Sequence, residues 1–199
     1  MPFCPAGACH NQRMARTRET VRRIFLAVDL DNDVRHGLAA HLEPWTPLPG
    51  STPPPANWHL TLRFLGRMDE LAYESLLGRL DQADFGGQFT LTFGGLGAFP
   101  RPARAAVLWL GTERGSDALG DLAAVVERAV VEAGFMPEER PFHPHLTLSR
   151  IRPPQDVRPL IQAVPRFPLS QTVGGVTVFQ SHLGRGPAEY EVLEVFPVG

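Results

Sequence analysis

The tetrapeptide His-Leu-Thr-Leu occurs twice in this chain, at positions 59–62 and 145–148. A random chain of the same composition would contain it only about 0.006 times, so the repeat is a strong constraint on the fold. Side chains alternate between the two faces of a β-strand. Each copy therefore predicts a strand that turns its leucines toward a core and its histidine and threonine toward the opposite face. Two such polar pairs on an inner sheet face require a cleft.

The chain around the two copies repeats a larger unit. Apolar periodicity predicts the order strand, helix, strand with His-Leu-Thr-Leu, helix and strand, and then the same order again. Predicted strands cover 23–30, 57–65, 89–96, 105–110, 142–150, 173–179 and 190–196, and predicted helices cover 34–45, 71–80, 119–134 and 156–164. The duplication favours two lobes related by a pseudo-twofold axis, with the motifs meeting near that axis. The predicted architecture is α+β and bilobal, with antiparallel or mixed sheets flanking a central cleft.

Residues 22–199 are predicted to form one domain that contains both lobes. The first 21 residues lack periodic apolar positions and are predicted to be a disordered extension. Cys4 and Cys9 both lie in this extension, and no later thiol could complete a zinc site or a disulfide framework with them. The segment 47–56 contains five prolines and must be a loop.

The charge composition limits the kind of partner. Lysine and arginine number 19 and aspartate and glutamate 21, for a formal charge of -2. The chain therefore lacks the global basic field that holds long nucleic acids, and a nucleic-acid partner would be bound locally, at an end or in a pocket. No apolar run is long enough for a membrane span or a secretory signal. We expect a cytoplasmic protein without a membrane partner.

Two histidines on facing lobes fit acid–base chemistry at phosphorus. An imidazole has an unperturbed pKa of about 6.5, so His59 and His145 can hold one proton between them near neutral pH. Displacement at phosphorus needs one group that takes a proton from the attacking water and another that protonates the leaving oxygen. Thr61 and Thr147, two residues along on the same face, can donate hydrogen bonds to the phosphate oxygens. This scheme requires no metal or other cofactor.

Three arginines near the motifs are candidate phosphate contacts, namely Arg63, Arg140 and Arg150. Strand alternation separates two of them. Arg63 shares the face of the first motif's histidine and threonine, so it is expected to reach the cleft. Arg150 has the opposite parity to the second motif's histidine, so it reaches the cleft only if a bulge intervenes.

His143 places a third imidazole two positions before His145. It is interpreted as a strand-edge residue, with a substrate contact as the alternative. A His-x-His pair with His59 as a third ligand also keeps a metal site open. No carboxylate or cysteine stands beside either motif, which makes such a site the weaker hypothesis.

These residues resemble the two-histidine (2H) phosphoesterase superfamily, whose signature is a pair of H-x-[TS]-x motifs. The nearest resemblance is to the bacterial and archaeal LigT-like RNA 2',3'-cyclic phosphodiesterases. It covers the chain from about residue 23 to 198, in family order. The resemblance is carried by the segments RIFLAVDL, NWHLTLRFLG, FPRPARAAVLWLG and RPFHPHLTLSR and by the closing S-x-L with the later Tyr190.

The resemblance implies an enzyme that opens the terminal 2',3'-cyclic phosphate of RNA to a 2'-phosphomonoester. It implies that His59 donates a proton to the leaving oxygen and that His145 accepts the proton of water. The two motif threonines, Arg63 and Arg150 are then the expected substrate contacts. Some relatives carry a weak, reversible 2'-5' RNA ligase activity, which the same histidines could perform. RNA 3' ends are the expected partners, no cofactor is expected, and a monomer is expected.

Two other functions stay open at this point. A phosphodiesterase of small cyclic nucleotides would gain nothing from a longer RNA. A non-catalytic module that binds RNA ends would keep the fold without the reaction. The intact histidine and threonine in both motifs argue against the second alternative.

Overall fold

A computed structural model of the chain describes residues 21–184 and 186–199, which form eight strands and four α-helices. The predicted disordered extension lies outside the described residues except for its last position. The first half contains β1 (Arg22–Asp29), α1 (Asn32–Leu42), β2 (His59–Met68), α2 (Glu70–Asp81) and β3 (Phe89–Phe99). The second half contains β4 (Ala105–Thr112), α3 (Ser116–Glu132), β5 (His145–Gln155), α4 (Arg158–Ala163), β6 (Ser170–Val173), β7 (Gly175–His182) and β8 (Glu189–Pro197).

The two motif strands lie side by side at the centre of a single eight-stranded sheet. The strand order is β6-β3-β4-β5-β2-β1-β7-β8, and every pairing in it is antiparallel. The order is symmetric about the β5·β2 pair, because β4 and β1 flank it and β3 and β7 follow. The predicted α+β fold with two duplicated halves is thereby confirmed, although the halves share one continuous sheet.

Each half of the sheet contains a strand from the other half of the sequence. β3 ends the first unit but pairs with β4 of the second unit, and β7 pairs with β1 of the first. One hydrophobic core runs through both halves. The exchange and the common core support the proposal that residues 22–199 form one domain.

The leucines of both motifs lie in that core, as predicted, and so do Ile24, Leu26 and Val28 of β1. The alternate positions of β1 face the other side of the sheet, where Phe25 and Ala27 form a second, smaller cluster with Phe179. β1 is therefore buried on both faces, which explains its nearly continuous apolar sequence.

Three predicted boundaries were wrong for identifiable reasons. The first helix ends at Leu42 rather than Trp45, because Pro44 has no N–H to continue the helical hydrogen bonds, and Glu43–Trp45 form a 3₁₀ turn instead. The second motif strand begins at His145 rather than residue 142, because Pro144 has no N–H to donate to a ladder. The predicted strand 173–179 is divided at Gly174, where the chain leaves the β3 edge and crosses to β1.

The helices of the described region are short. None within residues 21–184 and 186–199 has the length and apolar character needed to cross a membrane. α2 packs against α3, and α3 packs against β2 and β3, so the helices cover the core face of the central strands and leave the motif histidines on the opposite face.

Candidate active site

The central strand pair brings the four polar motif residues together. β2 and β5 pair antiparallel with Leu60 opposite Leu146. This register places His59 opposite Thr147 and Thr61 opposite His145, and directly opposite Cβ atoms in such a pair lie about 4.5–5.5 Å apart. Each histidine therefore has the other motif's threonine as its cross-strand neighbour, and the two histidines occupy opposite corners of one patch.

Three of the four patch residues, His59, Thr61 and Thr147, line a cavity of about 670 Å³, whereas His145, opposite Thr61, is not among the lining residues. The volume is typical of small-ligand sites. The walls of the cavity come from β1, β2, β5, β7 and β8, from the loop 51–57, and from residues 183 and 186–188 between β7 and β8. The lining includes His59, Thr61, Thr147, Arg150, Asn57, Ser51, Thr52, Phe25, Ser181 and Tyr190. Polar groups that converge in one concave site make it the candidate active site.

Both histidines are held by the same backbone contact. Nδ1 of His59 lies 2.8 Å from the carbonyl oxygen of Asn57, and Nδ1 of His145 lies 2.7 Å from the carbonyl oxygen of His143. A carbonyl only accepts, so each Nδ1 carries a proton and donates it. In the neutral ring, Nε2 is then the nitrogen that can accept a proton. His59 Nε2 lies 3.0 Å from Thr61 Oγ1.

The surroundings of His59 are aromatic. Its ring centroid lies 4.8 Å from that of Phe25, 5.4 Å from Tyr190 and 6.0 Å from Phe179. Burial lowers the pKa of His59 to about 4, although the Asn57 carbonyl and the charge of Asp29 act in the opposite direction. In the free protein His59 is therefore neutral at pH 7.

His145 lies nearer to solvent. Phe99 meets its ring edge-on at a centroid distance of 5.1 Å, and Trp109 lies 6.3 Å away. Burial lowers the pKa of His145 as well, and the charges of His143 and Arg150 add to that effect. The positive charge of Arg150 also lowers the pKa of His59. Arg150 therefore acts electrostatically on both rings.

His143 supports His145 from outside the strand. It precedes β5, offers its carbonyl to His145, and packs its ring edge-on against Phe99 and Trp109 at 5.3 and 5.0 Å. Its side chain is not among those that line the cavity. Across the described ranges, no three side chains of the types that bind metals are grouped closely enough to hold an ion.

The expectation that Arg63 reaches the cleft is wrong because a β-bulge reverses the alternation. Thr61 pairs with Ala27 and Arg63 with Leu26, which leaves Leu62 without a partner. Arg63 therefore faces the helix side, where its guanidinium lies 2.8 Å from the carboxylate of Glu127 and 3.1 Å from Glu138. Arg140 also pairs with Glu138, at 3.0 Å, and is not among the cavity-lining residues.

An equivalent bulge brings Arg150 into the cleft. Thr147 pairs with Trp109 and Ser149 with Leu108, so Leu148 is the extra residue and Arg150 returns to the face of the motif threonine. The proline-rich loop holds this segment, because Ser51 and Arg150 exchange backbone hydrogen bonds of 2.9 Å. Gly50 adopts a φ of +87° there, and a Cβ at this position would overlap the backbone of Arg150.

Sequence reasoning missed the parts of the site that come from distant elements. It treated the segment 47–56 only as a loop, yet Ser51 and Thr52 line the cavity. It assigned no role to Asn57, whose carbonyl orients His59 and whose side-chain amide donates to the carbonyl of Ala188. The sequence offered one indication of a role for Asn57, which is its position two residues before the first motif.

The chain is similar to known proteins in both sequence and structure. The family model for the 2'-5' RNA ligase superfamily matches residues 38–185. An RNA 2',3'-cyclic phosphodiesterase of Escherichia coli is 33% identical over 180 residues, which cover 87% of this chain and 94% of that protein. One of Aeropyrum pernix is 38% identical over 117 residues, which cover 59% of this chain and 66% of that protein. The crystal structure of E. coli LigT complexed with 3'-AMP matches with a TM-score of 0.74 at 28% identity, over 90% of this chain and 99% of that chain.

Proposed function

This chain belongs to the 2'-5' RNA ligase superfamily, and from that premise we propose that it hydrolyses the terminal 2',3'-cyclic phosphate of RNA to a 2'-phosphomonoester. The observation that best supports this proposal is the register of the central strands, with Leu60 opposite Leu146. It sets two histidines of fixed tautomer at opposite corners of one polar patch. Curated relatives over most of the chain are named RNA 2',3'-cyclic phosphodiesterases, which supports the same reaction.

The proposed reaction is a single displacement at phosphorus. The oxygen of a water molecule forms a bond to phosphorus while the bond from phosphorus to O3' breaks, and the phosphate stays on O2'. His145 Nε2 takes the proton of the water as general base. His59 Nε2–H gives its proton to the departing O3' as general acid. Atoms and charge balance with water as the only co-reactant, and the two histidines exchange protonation states over one turnover.

The acid role of His59 depends on the substrate. Burial holds the pKa of His59 at about 4 in the free protein, so the protonated ring needs a negative charge beside it. The cyclic phosphodiester carries that charge, and an anion in contact with an imidazole raises its pKa. We therefore propose that His59 takes up its proton when the substrate binds. The nearby Thr61 hydroxyl, 3.0 Å from Nε2, fixes the direction of the ring.

Arg150 and the two threonines are the proposed contacts of the non-bridging phosphate oxygens. Arg150 lines the cavity with Thr61 and Thr147 and offers a permanent positive charge. Donors that are fixed before the reaction stabilise the charge that develops in the transition state. If a 5'-hydroxyl of a second RNA replaces water, the same displacement forms a 2'-5' linkage, which is the proposed weak and reversible ligase activity.

Both histidines come from one chain, which supports the proposal that the enzyme works as a monomer. RNA 3' ends with a cyclic phosphate are the proposed partners, and the cytoplasm is the proposed location. Within the described residues the patch supplies imidazole, hydroxyl and guanidinium groups, and the proposed mechanism uses these alone.

The proposal is tested by incubation of the purified protein, in EDTA, with a short RNA that ends in a 2',3'-cyclic phosphate. Phosphorus NMR should show clean conversion to the 2'-phosphate, and the His145→Ala variant should not form it. A 3'-phosphate product would contradict the assigned leaving group. Activity that EDTA abolishes and one metal restores would contradict the mechanism. Turnover of mononucleoside cyclic phosphates with no gain from longer RNA would favour the alternative function, a small-nucleotide phosphodiesterase.

A further inference from the structure

A second group of side chains lies on the cleft face, away from the reacting residues. Phe64 lines the cavity and is 47% exposed, which is unusual for an aromatic ring on an inner sheet face. The guanidinium of Arg23 lies 5.0 Å from the centroid of the Phe64 ring. Arg23 also lines the cavity. The mechanism proposed above uses neither residue.

The bulge in β2 explains why Phe64 faces the cleft. Leu62 is the extra residue, so Phe64 returns to the face of the first motif's histidine and pairs with Phe25. In β5 the corresponding bulge brings Arg150 to the same face. Phe64 and Arg150 thus hold equivalent positions in the two halves. One half presents a guanidinium there, and the other presents an aromatic face.

The arginines beside Phe64 carry charge without compensation. Arg23 pairs directly with Arg67 across β1 and β2, and opposite residues of such a pair project to the same face. Like charges in directly opposite positions are destabilising. Within residues 21–184 and 186–199 neither arginine forms an ion pair with a carboxylate. Two adjacent cations without a counter-ion fit an anionic ligand.

The distance from the reacting patch indicates which part of a ligand reaches this group. Phe64 is five residues beyond His59 on the same strand, and the centroids of the two rings lie at most about 11 Å apart. Phe25 separates the two rings, with centroids 4.8 Å from His59 and 6.5 Å from Phe64. When the phosphate of the terminal nucleotide lies at the histidines, the rim near Phe64 is within reach of the nucleotide that precedes it.

We propose that Phe64, Arg23 and Arg67 form a subsite for the nucleotide that precedes the cyclic phosphate end. Phe64 stacks on its base, and the two arginines bind the backbone phosphates that flank it. Stacking on an aromatic ring and cation contacts with phosphates are the general means of binding single-stranded nucleic acid without sequence preference. The inference rests on the proposed function and names the feature that makes RNA, rather than a mononucleotide, the favoured substrate.

The test compares two substrates that share one reacting end. Uridine 2',3'-cyclic phosphate and a pentauridylate ending in the same cyclic phosphate are assayed for kcat/KM with the full-length protein. We expect the wild-type enzyme to prefer the pentanucleotide. Phe64→Ala should lower the ratio of the two kcat/KM values by about 5- to 150-fold, the range that removal of one base–aromatic stack gives. Phe64→Trp, which keeps an aromatic face, should retain the preference.

The arginines have a separate readout. Arg23→Ala with Arg67→Ala should lower the same ratio and reduce the dependence of log kcat/KM on log salt by about 0.7 for each phosphate that the enzyme no longer neutralises. Arg79→Ala is the matched control, because Arg79 lies on α2 and its nearest carboxylate partner is Glu132 at 4.0 Å. It should change neither the ratio nor the salt slope. Using a ratio removes any decrease in folded enzyme from the comparison.

Different results separate the inference from the proposed function. If the wild-type enzyme turns over the mononucleotide but gains nothing from the pentanucleotide, the subsite is wrong, the hydrolysis of the cyclic phosphate stands, and small nucleotides become the favoured substrate. If Phe64→Ala lowers kcat/KM for both substrates by the same factor, Phe64 contacts the terminal nucleotide and the inference is again wrong. If neither substrate reacts, the proposed function fails and the inference fails with it.

Discussion

His59 and His145 occupy equivalent positions in the two halves, yet their surroundings differ. Both donate Nδ1–H to the carbonyl of the residue two positions earlier, and both strands bulge at the second leucine of the motif. His59, however, packs among Phe25, Tyr190 and Phe179, whereas His145 lies nearer to solvent. The two halves therefore have the same backbone geometry around the motif, and the residues of the flanking strands make the surroundings of the two rings different. That difference gives the two rings different proton affinities in the free protein, where burial lowers the pKa of His59 to about 4 and lowers the pKa of His145 as well. The proposed acid role of His59 therefore depends on the proton that it takes up when the anionic substrate binds.

The largest expected effect distinguishes the arginines of the two motifs. Arg150→Ala removes the charge beside both histidines, and removal of one donor to a developing oxyanion typically costs about 100- to 1,000-fold in kcat. Arg63→Ala is the matched control, because Arg63 faces Glu127 and Glu138 on the other side of the sheet. It should lower thermal stability and leave kcat within a few-fold. Steady-state kinetics with both variants would refute the assignment if the two lost activity equally.

The pH dependence of kcat/KM should reveal the lowered pKa values. It reports the free enzyme, in which the pKa of His59 is about 4 and the pKa of His145 lies below 6.5. We expect a bell-shaped profile of kcat/KM whose maximum lies below pH 7. Above that maximum, kcat/KM should fall about tenfold per pH unit. The kcat profile should lie at higher pH, because the bound phosphodiester anion raises both pKa values. Coincident profiles centred above pH 7 would contradict this electrostatic account.

The packing behind His145 should have a smaller effect. Gly97 lies opposite Trp109 on β3 and β4, and a Cβ at this glycine would overlap the indole ring. Gly97→Ala should therefore shift Trp109, disturb the orientation of His145 and lower kcat by about tenfold, since small misplacements of a catalytic group are costly. Gly78→Ala in α2, where a Cβ meets nothing within 4 Å, should keep full activity. Equal activity of the two variants would show that Trp109 does not position His145.

The smallest effect concerns stability in acid. The pKa of His59 is about 4 when folded and about 6.5 when unfolded, so between these values the unfolded chain binds the additional proton. The free energy of unfolding should therefore fall as the pH drops from 6.5 to 4, by up to about 3 kcal/mol from this group. His59→Gln should flatten that part of the dependence, as measured by urea unfolding at a series of pH values. His145→Gln is the comparison and should flatten it less.

Local pattern predicted the elements that carry the motifs but not how distant segments meet them. The period of two in His-Leu-Thr-Leu correctly assigned the leucines to the core, and apolar periodicity found α2 and β1 within two residues. Strict alternation of side chains predicted the wrong face for Arg63, because the bulge depends on pairing with the neighbouring strand and no residue of the motif indicates it. The exchange of β3 and β7 between halves and the pairing of Ser51 with Arg150 are long-range contacts. Only the folded chain defines them.

Removal of the two histidines, singly and together, is the most direct test of the proposed acid–base mechanism. Initial rates on an RNA with a 2',3'-cyclic phosphate end, with thermal melts of each variant, give both quantities needed. His59→Ala and His145→Ala should each lose at least about 100-fold in kcat with nearly unchanged melting temperatures. The double variant should lose little more, because groups that act in one step are not additive. A variant that melts far below the wild type but keeps most of its activity would show that the histidines are structural and that the account is wrong.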